Sequence, residues 1–309
     1  MSLIKGLLSL LTNRVHRASV VHLTVARVKD YAQFAKLRLA SLVVFSAFLS
    51  YLLAAGFMGI DWFKVLALVI GGFLVTGASN GINQIIEKDL DKLMHRTRNR
   101  PLAAGRMSVS EGAMLAAVMG VIGIWTLWYF LNPLSGVLGA LALLLYTAIY
   151  TPLKRITPFA VLVGAFPGAI PPMLGYVAET GTFGLIAGLL FAVQFMWQFP
   201  HFWAIAWKLE EDYNRGGFSL LPSKGGRDKA SAFQILIYSL FLIPVSLLPV
   251  LFMDMGWIAG GIVGASSLWF FWKSVKLFHS CSDKDATALM FASFIYLPVV
   301  QLTYLIHLI

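Results

Sequence analysis

The sequence predicts an all-α, polytopic membrane protein with about nine transmembrane helices, and three observations predict it. Of its 309 residues, 59% are hydrophobic and only 12% are charged, with a mean hydropathy of +0.78, which lies outside the range of soluble domains. Apolar runs of about 20 residues, the length that crosses a hydrocarbon core roughly 30 Å thick, recur along the chain. The breaks between them are charged or turn-rich, and the basic residues gather in alternate breaks.

Taken in order, the runs are 38–57, 64–86, 112–131, 134–151, 160–178, 183–206, 232–252, 257–273 and 287–307. The second contains Phe73, Leu74 and Val75, yet it ends in the charged stretch "NQIIEKDLDKLMHRTRNRPLAAGR", residues 83–106. Only the turn around Asn132-Pro133 parts the third run from the fourth. The fifth is rich in glycine and proline ("GAFPGAIPPMLG"). The sixth carries Gln194, Gln198 and His201 and runs into the acids Glu210, Glu211 and Asp212.

The charges orient this map. Of 24 Lys and Arg, seven lie at or before Arg38, and the loops after spans two, four, six and eight hold all the others except Lys64. Such asymmetry follows the positive-inside rule, with a cytoplasmic amino terminus and a carboxyl terminus on the other side. The net charge of +10 is therefore a topology signal. It is no nucleic-acid footprint, because the basic residues are interleaved with spans instead of covering one soluble face. Residues 1–30 read as an amphipathic arm on the cytoplasmic membrane surface or an organellar targeting segment. The single cysteine, Cys281, excludes an intramolecular disulfide and any multi-thiolate metal site.

A bare charge in hydrocarbon costs several kcal/mol, so the charged end of the second span needs water or a counter-ion. Asn83, Glu87 and Asp91 stand at i, i+4 and i+8 and share one helix face, with Asn80 on the same stripe and Asp89 pointing away. Such oxygen donors suit Mg²⁺, which commonly shares its shell with substrate phosphates. The plainer alternative is a set of solvated residues where a helix leaves the membrane. Lys92, Arg96, Arg98, Arg100 and Arg106 follow within fifteen residues of Asp91, and guanidinium groups beside metal-binding carboxylates suit a metal-bound diphosphate. Some of those arginines serve topology alone.

On the sixth span, Gln194, Gln198 and His201 make a polar stripe of the kind that faces a cavity or another helix. His201 is either an interhelical hydrogen-bonding residue or a ligand. Phe195, Trp197, Phe199, Phe202, Trp203 and Trp207 pack or face lipid by default; in a cavity their ring faces would stabilise a carbocation. In "YTPLKRITP", Lys154 and Arg155 are held close to the membrane surface, as anion ligands or as snorkelling anchors.

The first charged stretch, the "RTRNRPL" run inside it, "YTPLKRITP", "GAFPGAIPPMLGY", "WQFPHFWAIA" and "EEDYNRGGFSLLP", in this order over about residues 30–305, resemble the UbiA-type intramembrane prenyltransferases and, in detail, their protohaem IX farnesyltransferase (haem O synthase) branch. The resemblance implies nine spans around a central cavity, residues 31–309 as one prenyltransferase domain, a Mg²⁺-dependent site, farnesyl diphosphate as donor and haem B as acceptor. Asn83, Glu87, Asp91 and Asp212 fall to the metal shell and catalysis, Arg96, Arg100, Lys154 and Arg155 to diphosphate or haem propionates, and His201 to the haem side. Glu87 stands where the superfamily has Asp, Lys208 where most relatives have the first acid of a second pair, and Ala160 where the branch often has Asn. The Lys208 departure favours the haem-modifying branch over one acting on a quinone-precursor aromatic acid. The resemblance also implies the lipid bilayer and haem-handling or oxidase-assembly proteins as partners. The short arm favours a bacterial inner (plasma) membrane over a mitochondrial inner membrane.

A different class, a secondary transporter of an anionic amphiphile, would use the intramembrane polar residues and a broken fifth span. It also needs polar groups through to the other face, where the acids are only Asp61, Glu179 and Asp254.

Overall fold

The computed structural model describes residues 25–305, and they are helical without strands. Nine long helices are present among them. They are α1 Leu37–Ala55, α2 Trp62–Asp91, α3 Val109–Phe130, α4 Pro133–Leu144, α5 Ala160–Thr180, α6 Leu185–Lys208, α7 Lys229–Phe252, α8 Gly256–Ser280 and α9 Asp283–Thr303. All nine expected runs therefore form helices. Eight helical stretches are long and apolar enough to cross a bilayer, α4 counting through Leu153. The exception, α8, has the length, but its glycines, serines and tryptophans ("GWIAGGIVGASSLWFFW") dilute its hydropathy. The chain is an integral membrane protein. Most of the arm expected over 1–30 lies outside the described residues.

The ends of these helices follow from local chemistry. Asp61 caps α2 by accepting from the amides of Phe63 and Lys64, and Ser108, Asp228 and Ser282 cap α3, α7 and α9 in the same way. Between α3 and α4, Asn132 accepts from the Ser135 amide, and Pro133 opens the helix where a missing N–H costs nothing. The Asn132 amide also donates to Val177 O at 2.9 Å, fastening the turn to the end of α5. The fifth span is one helix despite Pro167, Pro171 and Pro172, so the broken span that would have favoured a transporter is absent. Beyond α4 the backbone widens into a π-helix, Leu145–Tyr150, and closes with Thr151–Leu153.

The helices form a ring. Neighbours pack in sequence from α1 to α9, α1 packs along α5, α6 packs along α9, and a slighter contact between α1 and α9 completes the circuit. Small residues set the closest approaches. At Gly175 a Cβ would collide with the carbonyl oxygen of Ala47, so α5 can lie against the backbone of α1 only because the side chain is missing there. Near the middle of the bundle the Gln301 amide donates to Ser46 Oγ at 2.6 Å and to Gln194 Oε1 at 3.3 Å, tying α9, α1 and α6 together. Tyr296 does the same for α7, α8 and α9, with its hydroxyl 2.6 Å from Ser246 and 3.0 Å from Ser267.

Gly175→Ala tests this packing. Forcing α1 from α5 costs about 1–3 kcal/mol, so the thermal midpoint of the detergent-solubilised protein should fall. Gly188→Ala, whose new Cβ meets no atom within 4 Å, should leave it in place.

Candidate active site

The site is built from the end of α2. Its last turns carry Asn80, Asn83, Glu87 and Asp91 on one buried face, and Asp91 is only 1% exposed. Asp89 points out and pairs with Lys92 at 2.8 Å. The loop after α2 turns back so that the Arg100 guanidinium grips both oxygens of Asp91, at 2.8 and 2.7 Å. Thr97 helps fold that turn by donating to the Asp91 carbonyl oxygen. One turn earlier on α2, Glu87 Oε1 lies 2.6 Å from the Lys154 ammonium, and Asn83 donates to Thr151 Oγ1 at 3.2 Å. The π-helix is what delivers these partners. It places Tyr146 and Tyr150 with ring centroids 5.2 Å apart, and the Lys154 ammonium sits 5.1 Å from the Tyr150 ring and 5.4 Å from that of Phe218.

The acids after α6 do not act as one cluster. The chain breaks direction at Leu209 and resumes as a short helix, Glu210–Arg215. Asp212 faces the first loop and accepts from the amides of His95 (2.7 Å) and Arg96 (3.2 Å). Glu210 and Glu211 turn to Arg227, whose guanidinium also reaches Asp283 and the Trp207 carbonyl oxygen. Burial raises the Tyr213 hydroxyl above its ordinary pKa. The Arg96 guanidinium lies 5.8 Å from the Tyr213 ring.

The predicted residues are thus partly brought together. Asn83, Glu87, Asp91, Arg100 and Lys154 form one wall, and Arg96 and Asp212 lie on the loop layer above it. The expected shared shell of Asn83, Glu87, Asp91 and Asp212 is not assembled. Among the described residues no three His, Cys, Asp or Glu side chains converge, because the carboxylates are engaged by Arg100, by Lys154 and by backbone amides. The donors still fit a hard divalent cation: they are all oxygens, and buried Glu87 Oε1 has no aligned hydrogen bond despite its short ionic contact. Arg155 is exposed and has no ion pair among the described residues. Arg106 belongs to the frame, held by Asp30 at 2.9 Å. His201 stands apart from the charges, against α9. Its ring stacks on Trp197 at 4.3 Å, and its Nδ1 is 2.7 Å from Ser293 Oγ.

Sequence reasoning assigned Lys36 only to topology, whereas the structure sets it beside this wall. It occupies a left-handed conformation (φ 50°, ψ 56°) between the helical residues 25–34 and α1, which costs an L-residue roughly 1–2 kcal/mol. The carbonyls freed by that break are satisfied from α2: Asn80 donates to Ala35 O, and Gln84 to Phe34 O and Gln33 O. Burial, then the charges of Arg100 and Lys154, push the Lys36 ammonium down to about 7, against an upward pull from Glu87. Asn80 and Gln84 thus face a carbonyl row instead of a ligand. Lys36, Arg96, Arg100 and Lys154 therefore surround two carboxylates, Glu87 and Asp91. The cations exceed the acids, so the wall attracts an anion with more than one charge.

The chain is similar to known proteins over most of its length. The UbiA prenyltransferase family matches residues 43–296. A protoheme IX farnesyltransferase of Flavobacterium psychrophilum is 46% identical over 286 residues, covering 90% of this chain and 93% of that one. One from Christiangramia forsetii is 46% identical, covering 95% of this chain and 96% of its own. Among solved structures, a digeranylgeranylglyceryl phosphate synthase superposes with a TM-score of 0.76 at 17% identity, covering 91% of this chain and 98% of that one. A UbiA homologue from Archaeoglobus fulgidus bound to GPP and Mg²⁺ superposes with a TM-score of 0.61 at 12% identity, covering 89% of this chain and 99% of that one. With the family match running from within α1 through α8 and into α9, the chain belongs to the UbiA prenyltransferase family.

Proposed function

We propose that this protein transfers the farnesyl group of farnesyl diphosphate to a vinyl group of haem B, with addition of water, to make haem O. The observation that carries the reading is the surplus of cations around the buried carboxylates Glu87 and Asp91, which suits a diphosphate head group. The names of the relatives support haem as acceptor, and the GPP and Mg²⁺ of the Archaeoglobus homologue support a metal-dependent donor site. In this reading Asn83, Glu87 and Asp91 hold Mg²⁺, and Asp212 joins them if the loop layer closes inward. When bound, the metal supplies charge neutralisation for the departing diphosphate.

The chain's own groups do the rest. Lys36, Arg96, Arg100 and Lys154 bind the diphosphate oxygens and stabilise the charge that gathers there as the bond to farnesyl C1 breaks and its electron pair leaves with diphosphate. Tyr146, Tyr150, Tyr213 and Phe218 line the same place and shield the allylic cation with ring faces while excluding stray water. The vinyl carbon attacks C1, water adds to the resulting haem-side cation, and a proton is released. Ser293 donates its only hydroxyl proton to Met290 O at 2.6 Å, so His201 Nδ1 is the donor in their contact and its Nε2 keeps a lone pair for the haem side. Arg155, exposed beside Lys154, suits a propionate. The basic loops support the cytoplasmic side for this chemistry, in the bacterial inner membrane that this reading takes.

Purified protein with farnesyl diphosphate, haem B and Mg²⁺ should yield haem O by chromatography, and EDTA should abolish it. The combined Glu87→Ala and Asp91→Ala variant should lose at least about a hundredfold in rate, and continued turnover would reject the metal assignment. With 4-hydroxybenzoate replacing haem B, no prenylated product is expected.

Lys36 gives a second outcome. An anion favours its protonated form, and the free group titrates near 7. Diphosphate binding should therefore take up little or no proton at pH 6, where Lys36 is already charged, and draw one up at pH 8, with affinity falling up to about tenfold per pH unit above 7.5. Calorimetry in buffers of different ionisation enthalpy would read this uptake, and Lys36→Met should remove it.

A further inference from the structure

We infer that the site admits the divalent cation and the diphosphate only as one unit and holds off the free cation, because both α2 carboxylates meant for the metal, Glu87 and Asp91, are already neutralised by cations meant for the diphosphate. This rests on the donor-site reading above and adds a property to it. Arg100 closes on Asp91 with two bonds of 2.8 and 2.7 Å, the side chains being 13% and 1% exposed. Lys154 meets Glu87 at 2.6 Å, with side chains 11% and 4% exposed. Thus two pairs, on two different connections, are closed in the same way.

A metal ion arriving alone would have to displace both cations. Arg100 and Lys154, whose side chains are only 13% and 11% exposed, would then stand unpaired near Lys36, where solvent screens them poorly. A diphosphate arriving alone faces the mirror problem, since taking the two cations strands Asp91 and Glu87. When both arrive together the partners exchange: the cations pass to phosphate oxygens, the carboxylates pass to the metal, and no charge is left unmatched. No covalent bond is made or broken in this exchange. The coupling is reciprocal, so each ligand strengthens the other by one common factor.

The test measures Mn²⁺ retained by full-length detergent-solubilised protein in equilibrium dialysis, with and without inorganic pyrophosphate. Pyrophosphate should raise the apparent Mn²⁺ affinity by at least about tenfold. Mn²⁺ should raise pyrophosphate retention by the same factor. Arg100→Gln, which releases Asp91, should bind Mn²⁺ alone more tightly than the wild type does while losing most of the gain from pyrophosphate. Lys154→Met should act likewise through Glu87. Equal Mn²⁺ affinity with and without pyrophosphate would overturn the exchange and leave the donor site standing. Absence of retained Mn²⁺ in both conditions would instead remove the metal assignment itself. Should either variant lose its native elution profile, the wild-type comparison alone still decides.

Discussion

An apolar helix that ends in acids has to neutralise them where water is scarce, and the two-bond grip of Arg100 on Asp91 is how this one does so. The grip dictates the course of the loop after α2, because the guanidinium can reach Asp91 only if the chain doubles back within nine residues. That turn exposes the amides of His95 and Arg96, which Asp212 then accepts. It also leaves Arg106 placed to hold Asp30 and the helical residues before α1. One buried charge pair therefore organises the first loop, the loop after α6 and the entry into α1.

The second loop is secured from its far side by Arg227. Its guanidinium joins Glu210, Glu211, Asp283 and the Trp207 carbonyl oxygen, so the end of α6, the short helix and the start of α9 meet at one residue. Gly226 (φ 73°) makes room for this, since a side chain there would occupy the place of the Glu210 carboxylate. The first turn of the short helix is thus fixed on two sides, by Asp212 to the first loop and by Arg227 to α9. Its aromatic residue Tyr213 and the following Phe218 stand over the wall as a result.

Much of this was legible in the chain because the signals were local. Nine apolar runs, the stripe Asn83, Glu87, Asp91 and the outward turn of Asp89 depend only on helix period and length. The separation of Asp212 from Glu210 and Glu211 was hidden, since it follows from the change of direction at Leu209. Lys36 was hidden for a stronger reason. Its exposure to the wall needs a helix break whose open carbonyls are paid for by Asn80 and Gln84, almost fifty residues away. Both residues share α2 with the metal stripe, and nothing in their spacing tells a carbonyl clamp from a ligand. The prolines of α5 misled in the other direction, because tertiary packing keeps that helix continuous.

The wide turn Leu145–Tyr150 has a consequence of its own. A π-turn arises where one residue has been accommodated in a helix without being looped out, so everything after it is out of phase with everything before it by about 100°. The face of α4 that packs on its neighbours and the face that presents Tyr150, Thr151 and Lys154 belong to different registers. Scaffold and chemistry on this helix can therefore drift separately in sequence, because a substitution that suits the one face places no azimuthal demand on the other.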